Sequence, residues 1–257
     1  MSSGRVRVER QAGIGRAILA RPDKRNALDR AMADDLFNAL SELEADPAIR
    51  VILIRGEGVD FCSGADLEAL AEIMDAPAEI HREDAESLGR VFLAMRAIVK
   101  PIVAAVHGRA LAGGAGLALS CDIVLAHEEA KFGFPEVRVG FVPAMVMTLL
   151  RRAVGEKHAA DLVLSGRIIG AEEGARIGLV SRILPGRTFD TDVDRIVEEL
   201  ARSPKTAMAL TKWLFYKLDE LGFNDGIAAG VVTNVEARAT DDFREGVRGF
   251  VSKGKKK

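Results

Sequence analysis

Cysteine is almost missing from this chain. Cys62 and Cys121 are the only two in 257 residues, far apart and without ligand-like neighbours, so neither a disulfide framework nor a zinc site is expected. Charge of one sign is lacking too. The 36 Lys and Arg residues against 38 Asp and Glu leave a formal net charge of -2, which gives no electrostatic case for nucleic acid or an anionic membrane as partner. The locally basic end, Lys253-Gly254-Lys255-Lys256-Lys257, is the exception. No apolar run reaches membrane-spanning length, and the opening Met1-Ser2-Ser3-Gly4-Arg5-Val6-Arg7-Val8 alternates like a strand instead of carrying the apolar segment of a secretion signal. A reducing, cytoplasmic setting is the expectation. His81, His107, His127 and His158 show no metal spacing, and neither tandem repeats nor a flexible interdomain linker are visible.

What is present is enough apolar sequence for one large core. Arg5 to Ala20 reads as a hairpin, with Val6 and Val8 alternating against arginines and a turn at Ala12-Gly13. Asp29 reads as the cap of an amphipathic helix carrying Met32, Leu36, Phe37, Leu40 and Leu43, closed by Asp46-Pro47. Buried strands are predicted at Val51-Ile52-Leu53-Ile54, Ile102-Val103-Ala104-Ala105-Val106 and Ile123-Val124-Leu125-Ala126. Helical patterns dominate from Pro143, interrupted near Leu179 to Leu184, and the last third carries no strand run. Its Asn224 to Glu236 stretch, rich in Ala, Val and Gly, suits a helix–helix or subunit contact better than a solvent face.

Two glycine-rich turns stand out: Phe61-Cys62-Ser63-Gly64-Ala65-Asp66-Leu67 and Ala110-Leu111-Ala112-Gly113-Gly114-Ala115-Gly116. Each follows a β-branched apolar run and opens an apolar helical segment. Backbone N–H groups at such turns approach an oxygen closely and carry partial positive charge, which suits the enolate of an acyl thioester.

Together with Arg21-Pro22-Asp23-Lys24-Arg25-Asn26-Ala27-Leu28, Cys121-Asp122 and Phe132-Gly133-Phe134-Pro135-Glu136-Val137, these turns closely resemble the enoyl-CoA hydratase/isomerase family, or crotonase superfamily. The likeness continues through Gly140-Phe141-Val142-Pro143, Ala171 to Val180 and Asp241 to Gly246, nearly the whole chain. It implies an α/β, crotonase-like (ClpP/crotonase) spiral of ββα units over residues 1–200 and a helical trimerisation region over 201–257. It also implies acyl-CoA substrates, assembly as a homotrimer or dimer of trimers, and no metal or redox cofactor. Carried over position by position, the oxyanion hole falls on the N–H groups of Ala65 and Gly113 and the proton carrier on Glu136. The CoA contacts fall on Lys24, Arg25, Ala27, Ala65, Asp66, Leu67, Glu68 and Gly113, with Lys253 reaching from the C-terminal end. Asn26 reads as a turn stabiliser. Cys62 adjoins the hole without an obvious base, which makes it a poor nucleophile.

The sequence departs from the family at one position that matters. Efficient hydratases carry a second glutamate in the Gly-Gly-x-Glu turn, and here that position is Gly116. Adding water across a double bond divides its labour between two carboxyl groups, whereas moving a double bond from the 3,4 to the 2,3 position needs one. Isomerisation of an enoyl-CoA is therefore expected. The alternatives are a hydratase drawing a second acid from elsewhere, such as Glu83, Asp84 or Glu86, and a non-catalytic acyl-CoA-binding or RNA-binding trimeric scaffold, the RNA form opposed by the missing basic surface.

Overall fold

A computed structural model describes residues 4–254, the side chain of Lys253 excepted. The chain opens with an antiparallel hairpin, β1 (Val6–Gln11) and β2 (Ile14–Leu19). Its two turn residues, Ala12 and Gly13, both have positive φ, as a turn that follows the twist of its strands requires. Helix α1 (Arg30–Ala45) starts where Asp29 accepts a hydrogen bond from the Met32 N–H at 2.8 Å, satisfying a free donor of the first turn. Its stripe of Met32, Leu36, Leu40 and Leu43 is buried.

Strand β3 (Val51–Gly56) leads through the first glycine turn to α2 (Leu67–Glu72) and α3 (Ala78–Ala97). Then come β4 (Ile102–Val106), β5 (Arg109–Leu111), α4 (Gly113–Ser120), β6 (Ile123–His127) and β7 (Lys131–Gly133). Helices α5 (Ala144–Val154) and α6 (Glu156–Ser165), strand β8 (Ile168–Gly170), helix α7 (Ala171–Ile177), strand β9 (Arg182–Leu184) and helix α8 (Phe189–Ala201) follow. The chain closes with α9 (Lys205–Lys217), α10 (Phe223–Arg238) and α11 (Asp241–Gly254).

The larger sheet has the order β1-β2-β3-β4-β6-β9 and is parallel beyond the hairpin. Both faces are covered. Ile52, Ile54, Ala104 and Val106 belong to the core shared with α1, α3 and α4, while Val51, Leu53, Val103 and Ala105 pack with Phe189, Val193, Ile196 and Val197 of α8. This is why β3 and β4 read as unbroken apolar runs in the sequence.

A second sheet, β5-β7-β8, went unseen in the sequence: β5 and β7 run parallel, and β8 lies antiparallel to β7. Strands of three residues are too short to show a period, and β5 lies inside the glycine-rich turn. The first glycine turn also differs from expectation, because α2 buries none of its residues and leaves Leu67 exposed. At the C-terminal end, α9 is tied to the core by Lys212, whose ammonium meets Asp122 at 2.8 Å and donates to the carbonyls of Lys100 and Met95. The Tyr216 hydroxyl donates to the same aspartate at 2.7 Å.

Candidate active site

The two glycine turns meet through backbone pairing. Cys62 donates to the Arg109 carbonyl and accepts from Leu111, so the 62–66 segment enters alongside β5. Two residues later it pairs on its other side: Leu28 donates to the Gly64 carbonyl and Asp66 to the Leu28 carbonyl. A residue between two such bonds in a parallel ladder turns its own N–H away from that partner. The Ala65 N–H therefore faces the side of the second turn and has no hydrogen-bond partner among the described residues. Gly113 is the first residue of α4, so its N–H is also free, at the positive end of the helix. Contact between the turns is close, since a Cβ on Gly64 would lie 2.7 Å from the Ala112 Cβ. Ala112 itself has φ 50 and ψ -124, a conformation few residues other than glycine adopt.

Glu136 reaches the same end of the molecule from β7. Ala112 donates to the Gly133 carbonyl at 2.8 Å, and three residues beyond Gly133 the chain forms a short 3-10 turn, Pro135–Val139, that carries Glu136. The residue is 8% exposed, and its Oε2 is buried without a partner. Burial raises the carboxyl above its ordinary pKa, opposed only by a hydrogen bond from its own backbone N–H. Among the described residues three acids are buried, Asp60, Asp66 and Glu136. Asp60 accepts from the Arg109 N–H at 2.9 Å, and Asp66 is paired with Arg21. Of these three, Glu136 alone has a buried oxygen without a partner.

The space beside Gly116 is filled from two helices. A Cβ there would lie 2.7 Å from Val146 Cγ2 on α5 and 3.2 Å from Phe92 Cζ on α3. Gly116 lacks the positive φ that would make glycine obligatory; crowding, not backbone strain, closes the position. Of the acids on α3, Glu83 pairs with Arg30 at 2.9 Å, Glu86 is exposed, and Asp84 is half-buried.

The residues assigned to CoA fall into two groups. Ala27 is buried beside Leu28 and the first turn. Asp66 is committed within the fold: it accepts from the Glu68 and Ala69 N–H groups at the start of α2 and meets Arg21 at 2.9 Å. Burial alone would raise its pKa, but Arg21 and those N–H groups outweigh it and hold the carboxyl below its usual value. Lys24 and Glu68 form an exposed pair at 2.6 Å, Leu67 is exposed, and Arg25 is half-exposed with its guanidinium 3.8 Å from Asp60. Lys253 stands in α11, but its side chain lies outside the described residues. Asn26, fully buried, accepts from the Arg21 N–H and donates to the carbonyls of Glu57 and Asp60; it stabilises the turn. Burial pushes the Cys62 thiol up to about 12, so it is no nucleophile at neutral pH. No cluster of His, Cys, Asp and Glu suited to a metal occurs among the described residues.

The paired turns and the desolvated carboxylate can be set against known proteins. The family model for enoyl-CoA hydratase/isomerase matches residues 9–257. A Thermus thermophilus protein, provisionally assigned as an enoyl-CoA hydratase, is 44% identical over 232 residues, covering 90% of this chain and 92% of its own. The Escherichia coli 2,3-dehydroadipyl-CoA hydratase is 34% identical over 247 residues, 96% of this chain and 95% of that one. The crystal structure of an enoyl-CoA hydratase from Mycobacterium smegmatis superposes with a TM-score of 0.92 at 29% identity, covering 96% of each chain. That of human enoyl coenzyme A hydratase domain-containing protein 3 gives 0.92 at 30%, covering 96% of this chain and 97% of that one. The fold is therefore the α/β crotonase fold, and the chain belongs to the enoyl-CoA hydratase/isomerase family.

Proposed function

We propose that this acyl-CoA enzyme forms a thioester enolate and shifts the double bond of a 3-enoyl-CoA to the 2,3 position. Glu136 takes a proton from C2, the electron pair of that C–H bond delocalises onto the thioester oxygen, and the N–H groups of Ala65 and Gly113 stabilise the charge. A proton returned to C4 completes the product, with no atom gained or lost. One observation carries the preference for isomerisation: Val146 and Phe92 occupy the place that the second glutamate of a hydratase would take at position 116, while Glu136 keeps a buried oxygen without a partner. As written, the reaction draws on no metal or redox cofactor.

The hydratase names of the relatives favour a second reading, addition of water to a 2-enoyl-CoA. A panel of 2-enoyl-, 3-enoyl- and branched enoyl-CoA thioesters separates the two. Isomerisation of 3-enoyl-CoA should exceed hydration of the 2-enoyl compound, and the reverse order would overturn the preference. Glu136→Gln should abolish turnover while acyl-CoA still binds.

The same reading places the CoA nucleotide beside Lys24 and Arg25, the pantetheine arm along Ala27, Ala65 and the 66–68 segment, and Lys253 on a neighbouring subunit's CoA. It includes a homotrimer or dimer of trimers built through the C-terminal helices. Support comes from α10, which leaves Ile227, Val231, Val232 and Val235 exposed as an unpaired apolar face. It also includes a cytoplasmic location; among the described residues no helix is long and apolar enough to cross a membrane.

A further inference from the structure

Helix α3 passes the N-terminal turn of α4 in register. Phe92 meets the side-chain position of Gly116 at 3.2 Å, and Leu88, one turn earlier, meets that of Gly113 at 3.5 Å. The two helices thus run alongside in the same direction. Continuing the stripe by one more turn, about 5.4 Å, carries residue 84 past the first residue of α4, whose free N–H is one of the two assigned to the oxyanion hole. Residue 84 is an aspartate, on the same inward side as the buried Ser87.

Asp84 has no hydrogen-bond or ion-pair partner for its carboxylate among the described residues. Its neighbour Glu83 pairs with Arg30, and Ser87 donates to the backbone carbonyl of Asp84 and not to its side chain. Partial burial raises its pKa against the through-space pull of Arg30 and His81. Position 116, where relatives with two carboxylates carry the second, is closed by the same helix face that brings Asp84 forward.

Building on the isomerisation proposed above, we infer that Asp84 is the second proton carrier of the site, delivering the proton to C4 of the acyl chain while Glu136 removes one from C2. The balance is simple. Glu136 gains the C2 proton as the dienolate forms; the protonated Asp84 gives its proton to C4 as the C2–C3 double bond closes and the charge leaves the thioester oxygen. The enzyme ends with Glu136 protonated and Asp84 ionised, and exchange with water restores both.

The test is Asp84→Asn with a 3-enoyl-CoA in D2O, following deuterium at C2 and C4 of substrate and product. In the unmodified enzyme the product carries deuterium at C4. In the variant, isomerisation should fall about 100-fold, the scale of one lost general acid, while C2 exchange of the substrate continues, so that exchange far outruns product formation. Isomerisation within about threefold of the unmodified rate, or loss of C2 exchange in step with isomerisation, would overturn the role of Asp84. Absence of C2 exchange in the unmodified enzyme would overturn the enolate reading, and the role of Asp84 with it.

Discussion

Gly64 and Ala112 bring the two glycine turns into contact. A Cβ on Gly64 would stand 2.7 Å from the Cβ of Ala112 and 2.8 Å from the Leu111 carbonyl oxygen, and the next residue in each chain segment is the one that presents a free N–H. The gap admits a methyl group on one side only. Gly64 is the side that has none, and its φ of +98 also demands glycine.

Gly64→Ala should cost about 3 kcal/mol, the upper end for a strained left-handed residue, and should remove turnover by separating Ala65 from Gly113. Ala112→Gly should act the other way, relieving strain at φ 50. After the cost of the greater unfolded-state entropy of glycine, a gain of about 1 kcal/mol is expected. Combining the two should recover part of the Gly64→Ala loss, and thermal melts of all four proteins read the coupling.

Glu136→Gln should remove activity and raise the melting temperature at neutral pH. Burial raises the carboxyl pKa in the folded state above its unfolded value. The folded state is thus favoured fully below the unfolded pKa, and that advantage is lost as pH rises through the folded pKa, leaving an ionised, desolvated side chain at neutrality. The glutamine has no such charge. Melts should diverge at pH 7 to 8 and converge in acid, and kcat/KM of the unmodified enzyme should fall on the acid side with a midpoint above the ordinary glutamate value.

Gly116→Glu alone should not create a hydratase. The new Cβ would fall 2.7 Å from Val146 Cγ2, and overpacking of this kind costs about 1–3 kcal/mol. Paired with Val146→Ala, the glutamate has room. The double variant should hydrate a 2-enoyl-CoA faster than either single variant, a comparison read directly from thioester absorbance.

Lys212→Met should destabilise the protein by about 3 kcal/mol, because it leaves the largely buried Asp122 without its cation. Asp122 still receives the Tyr216 hydroxyl and the Ile102 N–H at 2.7 Å. The loss should fall first on the packing of α9, so proteolysis is expected within the C-terminal helices before the sheet core.

Removal of the residues after Gly222 deletes α10 and α11 and with them the exposed Ile227, Val231, Val232 and Val235. The truncated protein should be insoluble or dissociated. Light scattering of the full chain should report a trimer or a multiple of three.

Much of this was legible in the sequence because it rests on local chemistry. The cap at Asp29, the stripe of α1, the hairpin at Ala12-Gly13 and the runs of β3 and β4 follow from residue type and period. The likeness to the family follows from motifs that fix where Ala65, Gly113 and Glu136 stand in the chain. Short range was the limit. Strands β5, β7 and β8 exist only because they pair with one another, and no three-residue pattern signals that pairing.

The sequence by itself determined which backbone donors and which carboxylate are the candidates for the chemistry, because glycine turns and a Pro-Glu step have meaning within a few residues. Only the tertiary structure decided what surrounds them. Gly116 looks like a vacancy in the sequence, yet Val146 and Phe92, contributed by helices from either side in the chain, fill it. Asp84 looks like one more charge on a solvated helix, yet it is half-buried and its carboxylate has no partner among the described residues. Side-chain contacts between distant segments depend on helix placement and packing, and a linear pattern of residues carries no record of either.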